Sequence, residues 1–243
     1  MNNNPIERTA INKSKTNIGR EFESYCVLIA HRTYYEQLKD MYAGKIKNMS
    51  YNEIVELEKN LNARAKENVI STINTDEDRF RGTDCIYDNN YRIDFTCHFD
   101  KKLQKDYVPF IADTGIKATD TENFYIGIKH GHHKDKAFEE PVAIIGVNMT
   151  GRDYRYSENI IEYNLEKNMD KLLKHAVDGL EAYMNGGEGF DTILKPNKQY
   201  QEPKNLPKNR PNYHKLNKML EQSIKENNPD YKTENAYDDI SKP

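Results

Sequence analysis

TDCIYDNNYRIDFTCHF, residues 83–99, carries the reading of the fold. Asp88, Asn89 and Asn90 are turn chemistry, since Asp and Asn tolerate the backbone angles of tight turns. The stretch therefore reads as a β-hairpin. On its second arm Tyr91, Ile93, Phe95, Cys97 and Phe99 alternate with Arg92, Asp94, Thr96 and His98. A period of two assigns the first set to a core face and the second to a polar face. Asp94, Thr96 and His98 then stand side by side, and Asp84 arrives from the first arm. Two carboxylates converging across a hairpin suit a divalent metal such as Mg²⁺, which takes oxygen ligands. The plainer alternative is a hairpin whose polar face is bathed in water.

Upstream, a helix is predicted from near Asn17, with Ile18, Phe22, Tyr25 and Ile29 as its buried stripe and Glu21 and Glu23 beside it. A second helix spans 50–70, where Ser50 and Glu53 have capping-box spacing. Asp76 to Arg81 read as a charged loop. Downstream, Lys101, Lys102 and Lys105 form a basic patch, and Val108 to Ile111 a short strand ending near Thr114-Gly115. Phe124 to His130 is a clearer strand, with Phe124, Ile126, Ile128 and His130 on one face and Tyr125, Gly127 and Lys129 on the other. His130, His132 and His133 cluster at its end, but without zinc-site spacing. Pro141 opens a continuous apolar run, Val142 to Met149, of the kind found in a central strand covered on both sides. Ser157 can cap the longest helix, which runs to Met184 and stops at Asn185-Gly186-Gly187.

Composition bounds these readings. The 243 residues carry 31% charged and 36% hydrophobic side chains and a formal net charge of −3. Bulk charge therefore gives no sign of nucleic-acid binding, although it leaves room for a local basic groove. No apolar run approaches the roughly 18 residues needed to span a bilayer, and the first residues lack the apolar core of a secretory leader. Cys26, Cys85 and Cys97 lie in apolar-patterned segments and read as reduced, buried and cytoplasmic. The expected organisation is a flexible N-terminus (1–16), an α/β domain (17–194) with a helical insertion at about 35–75, and a flexible Pro-, Lys- and Asn-rich tail (195–243). A short amphipathic helix at about 212–227 in that tail suits docking to a protein partner.

The order helix, hairpin, further strands, long helix predicts a mixed sheet flanked by helices. With its residues, that order resembles the PD-(D/E)XK nuclease superfamily, of restriction-endonuclease-like fold. Gly19-Arg20-Glu21-Phe22-Glu23 looks like the Gly-x-x-x-Glu entry of resolvase-like members, which gives Glu23 the helix role. Asp84 takes the first-strand role, and Asp94, preceded by Ile93, the second acidic role. The resemblance covers roughly residues 17–184. The signature Lys position holds Thr96, and Lys129 is the candidate replacement, with Lys101 and Lys102 placed beyond the strand end. The resemblance implies a nuclease dependent on Mg²⁺ or Mn²⁺, acting on DNA ahead of RNA. Asp84, Asp94 and Glu23 would hold the metal, Lys129 would orient water or phosphate, and His98 is a second candidate for proton transfer. The rival is a catalytically inactive binding protein on the same fold, from a phage or mobile element, acting on a nucleic acid or a host protein. A third reading is an α+β domain of another class with structural acidic residues.

Overall fold

A computed structural model describes residues 5–131, 137–185 and 194–196. It is an α/β fold built on one mixed sheet. The hairpin comes first in the logic of the chain. β2 (Cys85–Tyr87) and β3 (Tyr91–Thr96) pair antiparallel with Cys85 opposite Ile93 and Tyr87 opposite Tyr91. Asp88 and Asn89 both take left-handed backbone angles, φ 51° and 55°, and Asn90 N–H donates to the Tyr87 carbonyl. That is the mirror-image turn whose twist matches a hairpin.

Around it lie β1 (Val69–Ser71), β4 (Phe110–Lys117), β5 (Asn123–Gly131), β6 (Ala137–Gly146) and β7 (Lys195–Pro196), giving the sheet order β1-β2-β3-β6-β5-β4-β7. β6 is central, as its apolar run predicts, and Val142 to Val147 are all buried. It pairs antiparallel with β5 and parallel with β3, Asp94 lying opposite Ile144.

The two faces are covered by different helices. α1 (Pro5–Ile46) and α5 (Gly151–Met184) pack on one face, where Phe22, Cys26, Ile93, Phe95, Ile126, Ile145 and Leu165 share a core. Phe22 and Tyr154 meet edge to face with ring centroids 5.7 Å apart, joining the two helices. α4 (Phe99–Lys105) covers the other face, where Phe99, Val108 and Ile144 form a smaller cluster. Phe99 therefore leaves the face of Phe95 and Cys97, because strand alternation ends at Thr96 and a helix begins. α2 (Tyr51–Asn68) has the expected Ser50–Glu53 capping box and buries Leu61 and Ala65 with Leu38 of α1. The predicted insertion is thus partly α1 itself, which runs on to Ile46.

Several boundaries differ from expectation. α1 starts at Pro5 rather than Asn17; proline is well suited to the first helical position, and no glycine follows until Gly19. Residues Asp76–Arg81 form a short helix, α3, closed by Gly82 at φ 60°. α5 starts at Gly151, capped by Thr150, whose hydroxyl accepts from Asp153 N–H; Ser157 lies inside the helix. β6 extends upstream of Pro141, which falls before the first β3 pairing at Ala143, where no ladder donor is demanded of it. Lys195 and Pro196 pair with Ile111 and Phe110, and Leu194 is buried against Gly179, so the ordered body reaches past 194. His132, His133 and residues 197–243, including the expected helix at 212–227, lie outside the described residues. No helix among the described residues is long and apolar enough to cross a membrane.

Candidate functional site

The register of β2 and β3 decides where the carboxylates meet. Asp84 immediately precedes β2, and its N–H donates to the Ile93 carbonyl at 2.8 Å. Its side chain turns back across the hairpin, where Oδ2 accepts from Phe95 N–H at 2.6 Å. Asp84 and Asp94 are 2% and 1% exposed, so at these two positions the polar face is closed and the water-bathed alternative does not hold. Glu23 stands at the start of the sixth turn of α1, where its carboxyl feels the charge of Asp94 and acts in turn on Asp84.

Two lysines answer this charge. Lys129 of β5 reaches across β6, as the alternation of β5 predicts, and its Nζ donates to Asp94 Oδ2 at 2.8 Å. It also donates to the Gly82 carbonyl at 3.2 Å and lies 3.4 Å from Asp106 Oδ2. Its side chain is 0% exposed. Lys102 of α4 donates to the same Asp94 oxygen at 2.7 Å, with its side chain 21% exposed. Lys102 does lie beyond the strand end, but α4 turns the chain back over the sheet and returns its ammonium to Asp94. Gly82 closes the pocket. A Cβ on it would stand 2.9 Å from Lys129 Nζ, and its φ of 60° already favours glycine.

The protonation pattern follows from who has a partner. Burial alone would push the Asp94 carboxyl up, but Lys102 and Lys129 outweigh it and hold it below the ordinary carboxylate value. Asp84 is raised well above that value by burial, then by Asp94 and Glu23. Glu23 is pushed up to about 7 by burial first, then by Asp94, with Asp78 adding and Lys102 opposing. A raised carboxyl stabilises the fold while protonated, below its ordinary value, and that contribution is lost as pH rises through the folded value. Wild type should therefore lose melting temperature between about pH 5 and about pH 8 more steeply than Glu23→Gln. Parallel profiles for the two proteins would show that Glu23 does not titrate in this cluster.

Thr96 is buried on the Asp94 face, where a Cβ at Gly146 would come 2.7 Å from its Cγ2 and from its carbonyl. That close approach leaves no room for a side chain at position 146. His98 is placed elsewhere. It stands at the start of α4, its Nδ1 hydrogen-bonded to the Met149 carbonyl at 2.5 Å, and it lines a separate cleft. His130 is buried with its ring 5.2 Å from that of Tyr183, on the α5 face and away from Asp94.

Gly82, Lys102 and Asp106 belong to the centre and were not expected there. Asp106 ends α4, where the motif reading has no position for it; Gly82 had a signal, a glycine following a charged turn. The centre can hold protons on Glu23 and Asp84, present positive charge from Lys102, and offer carboxylate oxygens to a hard cation. Among the described residues, no three or more His, Cys, Asp or Glu side chains stand close enough together to hold a metal ion as they are placed. Comparison of the chain with family models, curated proteins and solved structures gives no match.

Proposed function

We propose that this protein is a metal-dependent nuclease-like hydrolase of phosphodiester bonds in DNA or RNA, with Glu23, Asp84 and Asp94 as ligands for Mg²⁺ or Mn²⁺. One observation carries the reading: two lysines converge on buried Asp94, and the charge of Asp94 raises the carboxyls of both Asp84 and Glu23. Their chemistry suits the ion. All the donors are oxygens, and the raised Asp84 and Glu23 mark negative charge that the lysines leave uncompensated. Asp94 Oδ2 is committed to the lysines, so the ion would draw on the remaining carboxylate oxygens. Bound there, it would act as a Lewis acid toward phosphoryl oxygen and lower the pKa of a coordinated water.

The chain's own residues divide the remaining tasks. Lys129, fully buried, fixes Asp94. Lys102 keeps access to solvent and offers its ammonium to a non-bridging phosphate oxygen. Phase and orientation of Asp84 are set by Phe95 N–H. Glu23, with its carboxyl near neutrality, can take up a proton at physiological pH. The three thiols are buried and free, which supports function in a reducing compartment such as the cytoplasm.

A second reading has its own support. Asp94, Asp106, Lys102 and Lys129 satisfy one another, so the cluster can also be a self-sufficient polar core of an inactive binding protein. Thermal unfolding with Mn²⁺ separates the two. Selective binding to the folded state adds about 2.7 kcal/mol at a hundredfold excess over Kd. Wild type should melt higher with Mn²⁺, while Asp84→Asn and Glu23→Gln, which relieve like-charge repulsion and keep the fold, should not respond. Equal responses of wild type and Asp84→Asn would remove the metal site and leave the binding reading.

A further inference from the structure

β3 and β6 are neighbouring parallel strands, and the chain leaves them in opposite directions: from β3 into α4 on one face, from β6 into α5 on the other. Such a divergence opens a crevice at the carboxyl ends of the strands, the place where open α/β sheets take ligands. A cleft of about 1010 Å³ lies there, floored by His98 and Met149. Lys101, Arg152 and Arg155 line it, and all three are exposed. Two carboxylates also line it, Asp100 accepting from the Asn148 amide at 2.5 Å and Asp153 from the Thr150 hydroxyl, so three cations stand against two anions. Thr150 and Asp153 cap α5 themselves, so the cations, and not the helix end, supply the attraction. Tyr156, 80% exposed, stands on the same wall, and its ring has no burial to explain it.

We propose that this cleft binds the phosphate backbone of a single-stranded nucleic acid, with Tyr156 as a platform on which a base stacks. Cations tracking a backbone beside an exposed aromatic ring are the elements of single-strand recognition, and stacking requires bases that are not already paired. The cleft and the acidic centre draw on the same two helices: Ile18 of the cleft and Glu23 lie on α1, and Lys101 of the cleft and Lys102 on α4. As a substrate track it rests on the nuclease reading; as a binding site it stands without it.

The test uses the full chain and a fluorescein-labelled oligothymidylate in EDTA, read by anisotropy, with a duplex of the same length as comparison. Wild type should bind the single strand more tightly than the duplex. The variant K101A/R152A/R155A should lose binding, and the slope of log K on log salt should shrink by about 0.7 for each phosphate contact removed. Tyr156→Ala should weaken single-strand binding about 5- to 150-fold, the range of one lost stack. All four positions are exposed, and unchanged melting would confirm that the fold is kept. Absence of binding by wild type, unchanged affinity in the triple variant, or preference for duplex with no effect of Tyr156→Ala would each overturn the inference. Asp84→Asn, tested alongside for binding in EDTA and for cleavage in Mn²⁺, separates the two claims. Retained binding with no cleavage by wild type leaves the cleft and removes the nuclease; cleavage indifferent to the cleft variants does the reverse.

Discussion

Asp94→Asn is expected to cost about 3–5 kcal/mol of folding stability, the scale seen when one partner of a buried ion pair is removed. The magnitude comes from what is left behind. Lys129 is 0% exposed and would lose the carboxylate at 2.8 Å while keeping the more distant Asp106 at 3.4 Å and the Gly82 carbonyl at 3.2 Å. An ammonium in that position has no route to water, and an amide oxygen carries no charge to answer it. The sign of the pH dependence agrees. Asp94 is held below its ordinary value, so its contribution is present above that value and is lost as acid protonates it. Urea unfolding at neutral pH reads the cost directly. A double variant, Asp94→Asn with Lys129→Met, should recover much of the loss, because replacing a buried pair by packed neutral groups is often close to neutral. A single-variant loss below about 0.5 kcal/mol, the scale of an ordinary surface change, would mean that the pair is solvated.

Lys102→Ala is expected to reduce phosphodiester cleavage by about 10²–10³-fold with substrate affinity nearly unchanged, and to cost some stability because it removes one of the two cations on buried Asp94. Both lysines touch the same oxygen, but only Lys102 is partly open to solvent, at 21% against 0% for Lys129. A group that stabilises charge in the transition state must reach the reacting phosphate, and a fully enclosed ammonium cannot do so without the site opening. Lys129→Ala should therefore fail differently. It leaves buried Asp94 with Lys102 alone and takes from Asp106 the cation at 3.4 Å, and stability should fall before rate can be compared. A Lys102→Ala protein that cleaves at the wild-type rate, with Lys129→Ala folded and inactive, would return the role to Lys129.

How far the sequence carried these conclusions depends on the range of the interaction involved. The hairpin was legible because its signals are local: turn residues at Asp88 and Asn89, and a period of two from Tyr91 to Phe95. The same rule put Lys129 on the correct face of β5 from its neighbours Ile126 and Ile128 alone. Lys102 was not legible, because its eight-residue separation from Asp94 crosses from strand into helix, and alternation has no meaning past that point. Asp106 depends on the same reversal. The parallel pairing of β3 with β6 is separated in sequence by α4, β4 and β5, and nothing local announces it.

The most direct measurement is cleavage of mixed single- and double-stranded DNA and RNA by the purified full chain, with Mn²⁺, with Mg²⁺, and with EDTA. The account predicts cleavage in at least one divalent metal, none in EDTA, and none with Asp84→Asn, a variant that should fold as well as wild type. Cleavage by wild type that persists in EDTA, or no cleavage under any condition by a folded protein that does not bind Mn²⁺, would contradict it.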